Sequence, residues 1–341
     1  MAQYPKPLSE KSIAKLYDKA GLNEKKISFL HDFFTAAANL YGAFPVAHIW
    51  EVYKELSEKI EVPKLKRKEI VEAAGIMRRE SMCFYVFEID ELYSKEKRSE
   101  LNREVVHKDL INVGYGKYML YYRFCESQNN VPYYVPEDFL RFKRIEKSNE
   151  EKALLKFIGN LVVENDSFTD RYNDNVCPCK APKGRKLKSF SFMNRHEEFE
   201  LRYAKGEIQG NKGRPDVVSH LTKEYSCSEA EKIVRTLKRN SSYGVIDSMA
   251  EIKGVFDELN EVGVSLTQAK SEKLLGLIND FHNNSHHMCI RGWKPVELAA
   301  RREIPTAISF GPRIKKAIAE GKMDKEELIE GISSIGFNYV E

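Results

Sequence analysis

The chain has 341 residues, 42% of them hydrophobic and 31% charged, with a formal net charge of +4. That length suffices for two domains with cores of their own, and the balance of apolar and charged residues excludes disorder on the scale of the whole chain. Six cysteines in a chain this long, with no apolar leader and no run able to cross a bilayer, argue against a disulfide scaffold and a membrane span, so a cytoplasmic protein in a reducing compartment is expected.

In the front part, residues 1–165, Ile27, Leu30, Phe34, Ala37, Ala38 and Tyr41 recur at helical spacing behind Asn23, a natural cap. Gly42 breaks that helix, and Pro45 suits the first turn of a second one that buries Val46, Ile49, Trp50, Tyr53 and Leu56. A third helix is expected over Lys66–Arg79, with Ile70, Ala73, Ala74 and Met77 inward and Lys66, Arg67, Lys68, Arg78 and Arg79 outward, although Gly75 weakens it. Two aromatic runs, Met82–Phe87 and Lys117–Phe124, read as strands. Three helices followed by strands suggest a winged-helix-like domain, whose last helix would meet nucleic acid while the flanking cations touch phosphate. Glu69, Glu72 and Glu80 on the same helix oppose that use. The tyrosines at 115, 118, 121, 122, 133 and 134 could stack on bases, but tyrosines at strand positions usually half-bury in a sheet. From Pro136 the pattern returns to helix, and Ser148-Asn-Glu-Glu151 forms a capping box ahead of Leu154, Leu155, Ile158 and Leu161.

Residues 166–214 read as a basic linker. Between Cys177 and Arg214 ten Lys and Arg stand against four Glu, so the basicity of the chain is concentrated there. Lys180, Lys183, Arg185, Lys186 and Lys188 lie within a few residues of one another, and such a cluster suits a phosphate-rich partner through counterion release. A solvated loop kept soluble by its charges is the plainer account. The Cys177-Pro-Cys179 pair before this run resembles the first half of a SEC-C knuckle, a small zinc-binding motif. That resemblance implies a second Cys-Cys or Cys-His pair about nine residues on to complete a four-ligand zinc site. Lys188 and Ser189 occupy those positions. Zinc would then need ligands from elsewhere, with His196, His282 and His286 as candidates beside Cys177 and Cys179, and a turn that no longer holds metal is the simpler reading.

In the back part, residues 215–341, a second capping box at Ser228–Glu231 opens a helix with Ile233, Val234 and Leu237 inward. Helices through Met249–Leu259 and from Ser265 to about Phe281 complete a helical bundle. The segment Asn283-Asn284 through Arg291-Gly-Trp-Lys-Pro-x-Glu-Leu298 resembles the closing segment of uncharacterised bacterial proteins that also carry SEC-C-like knuckles, and Leu40-Tyr-Gly-x-x-Pro45 fits the same group. The resemblance implies a family without a known reaction. In physical terms Gly292 permits a turn and Pro295 starts a helix. His282, His286, His287 and Cys289 could gather a metal, although histidines at a helix end also suit its carbonyl-rich terminus. Helices from Pro312 and from Asp324-x-x-Glu327 close the chain.

The fold class expected is therefore mainly α with a small β component. The sequence has no phosphate-cradling glycine loop, no Gly-x-Ser-x-Gly elbow and no His-Glu-x-x-His, so no enzyme class carries its mark. A non-enzymatic protein that contacts nucleic acid through its basic stretch is the first expectation. A protein-interaction adaptor is the second, and metal-dependent chemistry at the Cys/His residues is the third.

Overall fold

The computed structural model describes residues 4–339 apart from 94–95, 112–117, 129–130, 165–167, 170–175, 178–182, 192–194, 209–211, 245–247, 302–306, 309–317, 319–323 and 335–337. Helix α1 (Glu10–Lys19) starts at Ser9, and α2 (Glu24–Tyr41) starts at Asn23, whose side chain accepts the Lys26 N–H at 3.0 Å. The chain leaves α2 through Gly42 at φ +73°, forms β1 (Ala43–Pro45) and turns directly into α3 (Val46–Lys59). Then come α4 (Arg67–Met77), β2 (Phe84–Phe87), the single turn α5 (Ile89–Leu92) and β3 (Glu104–His107).

These strands make one antiparallel sheet of order β1-β3-β2, with Ala43 opposite Val106 and Tyr85 opposite Val106 on the other side. Side chains alternate along a strand, so each face has its own core. Phe44, Val86 and Val105 join the large cluster that α2, α3 and α4 fill with Leu30, Phe33, Phe34, Ile49, Leu56 and Ile70. Ala43, Phe87 and Val106 face the other way, into a smaller cluster with Tyr121 and Phe124.

Those two aromatics belong to α6 (Met119–Ser127), which corrects the strand expected over Lys117–Phe124. Tyr121 and Phe124 are buried while Met119 is 53% exposed, a helical rather than an alternating pattern. The aromatic content that favours a strand in isolation is overridden here, because β3 already has a partner on each edge and the open need is a cover for the sheet's second face.

Helix α7 (Asn149–Gly159) starts where the first capping box was expected, with the Ser148 hydroxyl accepting the Glu151 N–H at 3.1 Å. Two short strands, β4 (Phe168–Thr169) and β5 (Val176–Cys177), pair antiparallel. Helices α8 (Arg195–Lys205) and α9 (Pro215–Tyr225) bury Ala204, Val217, Leu221 and Tyr225 between them. Helix α10 (Glu229–Tyr243) carries the second capping box and ends at Gly244 in the left-handed region. With α11 (Ser248–Glu261), α12 (Gln268–Asn284) and α7 it encloses a core of Leu154, Ile158, Ile233, Leu237, Leu259, Leu274, Ile278 and Phe281.

Residues 1–294 form one compact unit, and 295–341 form another. In the second unit α13 (Pro295–Arg301) begins at Pro295, and β6 (Ala307–Ile308) pairs parallel with β7 (Asn338–Tyr339). Between those strands, α14 (Lys325–Ser334) is capped by the Asp324 carboxylate, which accepts the Glu327 N–H at 2.9 Å. The helix expected from Pro312 lies outside the described residues. Among the described residues no helix is long and apolar enough to cross a membrane.

Within the first unit, the turn 285–294 ties the last helices to the first. Gly292 adopts φ +85°, and a Cβ there would lie 2.6 Å from Leu40 of α2; a Cβ on Gly42 would lie 2.9 Å from the Met288 sulfur. The segment 131–135 runs between these elements and bonds to both. The Arg291 guanidinium donates to the Val131 carbonyl at 2.7 Å and the Trp293 indole to the Pro132 carbonyl at 2.8 Å, while the Tyr41 hydroxyl donates to the Tyr134 carbonyl at 2.8 Å. Replacing Gly292 by Ala combines a left-handed backbone with a clash against packed Leu40, so Gly292→Ala is expected to lower unfolding stability by about 3 kcal/mol in denaturant titrations.

Glu104 sits in the central strand on the face covered by α6, and burial pushes its carboxyl up from the ordinary 4.5 to about 8. A raised carboxyl pKa favours the folded state fully below the ordinary value and loses that contribution as pH rises toward 8. Glu104→Gln removes the titration. The difference in melting temperature, variant minus wild type, is therefore expected to grow from pH 5 to pH 8 and then level off; a difference independent of pH would contradict this.

Candidate nucleic-acid interface

The cations expected to meet an anion separate into two groups, and the fold treats them differently. The first surrounds α4. This helix buries Ile70, Val71, Ala73, Ala74, Ile76 and Met77, so little of its circumference remains free. Lys66, Arg67 and Lys68 are exposed at its start and Arg79 just past its end. Lys68 lies 3.6 Å from Glu72, and Glu69 accepts the Lys26 ammonium at 2.6 Å. Burial alone would push the Glu69 carboxyl up, but the hydrogen bond from Lys26 and that from the Lys66 backbone outweigh it and hold the group below the ordinary value.

Arg78 turns inward. Its guanidinium makes a two-pronged contact with Glu91 at 2.6 and 2.7 Å, donates to the Val86 carbonyl at 2.7 Å and covers the Tyr4 ring at 4.8 Å. Glu91 is 3% exposed. With both terminal nitrogens bonded inside the protein, Arg78 fastens α4 to α5 and β2 and is largely withdrawn from the surface.

The second group is built on α7 and the segment 183–189. Here Val163 donates its N–H to the Arg185 carbonyl, Gly184 to the Val163 carbonyl and Leu187 to the Leu161 carbonyl, all at 2.9–3.0 Å. Leu187 is fully buried in the core below α7. One apolar anchor and three backbone bonds thus hold a segment whose Lys183, Arg185, Lys186 and Lys188 side chains all stay exposed. Lys180 lies outside the described residues.

Lys188 lines a cavity of about 530 Å³ together with Lys152, Leu155 and Lys156 of α7 and Ser226, Cys227, Ser228 and Glu231 at the start of α10. Lys152 and Lys156 are four residues apart on a helix, hence on one face. Glu231 is the carboxylate of the lining, and it is engaged: the Ser228 backbone and hydroxyl donate to it at 3.2 and 3.1 Å, and Lys147 lies 3.5 Å away. Burial acts to raise its pKa, but the Ser228 bonds and the Lys147 charge prevail and keep it below the ordinary carboxylate value. The Cys227 thiol donates to the Glu224 carbonyl and receives the Arg235 guanidinium, each at 2.6 Å. The cavity is cationic, with its one carboxylate already bonded.

The sequence pointed to Lys183, Arg185, Lys186 and Lys188 through their clustering, but not to Lys152, Lys156 or Cys227. The spacing of the two α7 lysines behind the Ser148 cap was the available signal. The structure does not join the two groups in one core: α4 packs in the sheet-bearing cluster, and α7 with 183–189 packs in the helical one.

The residues considered for metal also go to different places. Cys177 is in β5, with its side chain outside the described residues, as are Cys179 and the His196 side chain. The His282 ring lies 4.8 Å from that of His287, with Nδ1 3.8 Å from the Glu251 carboxylate. The His286 ring instead packs against Tyr134 and Phe142, and its Nδ1 lies 2.7 Å from the Gly292 carbonyl oxygen. His287 is 2% exposed, with Nδ1 and Nε2 at 2.6 and 2.7 Å from the carbonyls of Ser241 and His282. Burial pulls its pKa down, opposed by those two contacts. Burial pushes the Cys289 thiol up to about 11. Among the described residues no three His, Cys, Asp or Glu side chains gather as metal ligands.

Removing Arg78 leaves the buried Glu91 charge unpaired, so Arg78→Ala is expected to cost about 3–5 kcal/mol of stability. Arg67→Ala, at an exposed position, is expected to change stability by less than about 0.5 kcal/mol, both variants being measured by urea titration. No protein-family model matches the chain, and comparison with curated proteins and with solved structures finds no match to it.

Proposed function

We propose that this protein binds nucleic acid without transforming it, through the cationic face of α7 and residues 183–189. The observation that carries this reading is that Lys152, Lys156 and Lys188 line one cavity whose single carboxylate is held by Ser228 and Lys147. Lysines without a nearby carboxylate can neutralise phosphates and so release the cations condensed on a nucleic-acid strand.

The front part supports the same reading through its order of elements. With α1 and the single turn α5 set aside, the order α2, β1, α3, α4, β2, β3 and the sheet order β1-β3-β2 resemble those of a winged helix, in which α4 would stand at the groove and the β2–β3 connection would be the wing. In this chain α4 has buried most of its side chains, so its part is phosphate contact from Lys66, Arg67, Lys68 and Arg79 and not base reading. Sequence-tolerant binding follows from that assignment.

The test is fluorescence anisotropy with labelled duplex DNA and single-stranded RNA over a salt series. Binding is expected to weaken steeply with salt, and the triple variant Lys152→Gln/Lys156→Gln/Lys188→Gln should reduce the slope of log affinity against log salt on duplex by about 2–3. Folded protein that binds neither probe at low salt would sink the proposal. Unchanged slope in the triple variant would move the interface elsewhere.

A further inference from the structure

We infer that the cavity between α7, Leu187–Ser189 and the start of α10 is a site for a phosphate monoester, either the terminal phosphate of a strand or that of a small phosphorylated molecule. The inference rests on the same cations as the nucleic-acid reading and narrows what they recognise. Ligand cavities of several hundred Å³ are usually lined by apolar and aromatic groups with a few polar ones. This one, an open depression of about 530 Å³, also shows more apolar than polar surface, but among the described residues its charged groups are three lysines against one glutamate that is already bonded. Its net charge is positive.

The lining favours a dianion over a single charge. The Ser226 hydroxyl donates to the Lys223 carbonyl and the Ser228 hydroxyl to Glu231, so the hydroxyl protons are already used. What remains for a ligand is three ammonium groups, which bind phosphate as point charges and reward net charge more than shape. A backbone diester brings one negative charge; a monoester above its second pKa of about 6 brings nearly two.

Lys188 is also held in place. A Cβ on Gly159, the last residue of α7, would lie 3.2 Å from the Lys188 Cβ and 3.8 Å from its Cδ, so the lysine stem rests on the bare glycine backbone. That contact restricts the stem of an exposed lysine that lines the depression. Lys152 and Lys156 are both exposed on the facing helix.

The experiment uses the full chain and three probes: a short single-stranded oligonucleotide with a 5′-phosphate, the same strand with a 5′-hydroxyl, and adenosine monophosphate as competitor. The phosphorylated strand is expected to bind about tenfold tighter, the scale of one added charge-assisted contact, and Lys188→Gln should abolish that preference while the melting temperature stays unchanged. Gly159→Ala, which displaces the Lys188 stem without removing its charge, should reduce the preference in part. Equal binding of the two strands, with no displacement by adenosine monophosphate, overturns the phosphate site and leaves nucleic-acid binding standing. Binding of adenosine monophosphate with neither strand bound supports the phosphate site in its small-molecule form and removes the strand reading. No binding of any probe at low salt overturns both.

Discussion

The contact of Leu40 with the bare backbone of Gly292 is the joint on which the first unit depends. A side chain on residue 292 would occupy the space that Leu40 fills. Because the two can approach so closely, the segment 131–135 is trapped between them and takes hydrogen bonds from Tyr41, Arg291 and Trp293. Its own amide at Tyr134 returns one to the Arg291 carbonyl at 3.0 Å. Three stretches distant in sequence therefore satisfy several of one another's backbone carbonyls, groups that are costly when buried and left unpaired. The sheet-bearing core and the helical core are thereby made parts of one body.

The cationic face inherits its geometry from the second of those cores. Leu187 is an apolar residue in the middle of a charged run, and its burial next to Leu161 and Ile158 is what lays the run along α7. Charges on a loop without such an anchor would sample many directions and present a diffuse field. Here the cost of ordering the backbone is offset by burial of one leucine and by three backbone bonds, while the charged ends keep their water until a partner displaces it.

Much of the helical scaffold was legible in the residues. Asn23, Ser148 and Ser228 cap helices where their short polar side chains suggested, because capping is a local interaction that needs no tertiary partner. Strands β1 and β3 were not legible: Ala43–Pro45 and Glu104–His107 are too short to show an alternating pattern, and they are strands because each finds an edge to pair with. The 117–124 run misled through its aromatics, whose burial at Tyr121 and Phe124 follows a helical period. Arg78 was assigned outward from its helix alone, and only the fold brings Glu91 beneath it. Lys183, Arg185, Lys186 and Lys188 stood out as a run, whereas Lys152 and Lys156 are separated in sequence and become neighbours only on a helix.

The joint at Gly292 also orders events during synthesis. The surface of α2 around Leu40 and Tyr41 emerges early, while the turn that covers it is made only after nearly all of the unit has left the ribosome. Contacts between such distant segments pay a large loop-closure cost and form late. The sheet-bearing core can therefore assemble around α2 before residues 285–294 arrive to pack against Leu40.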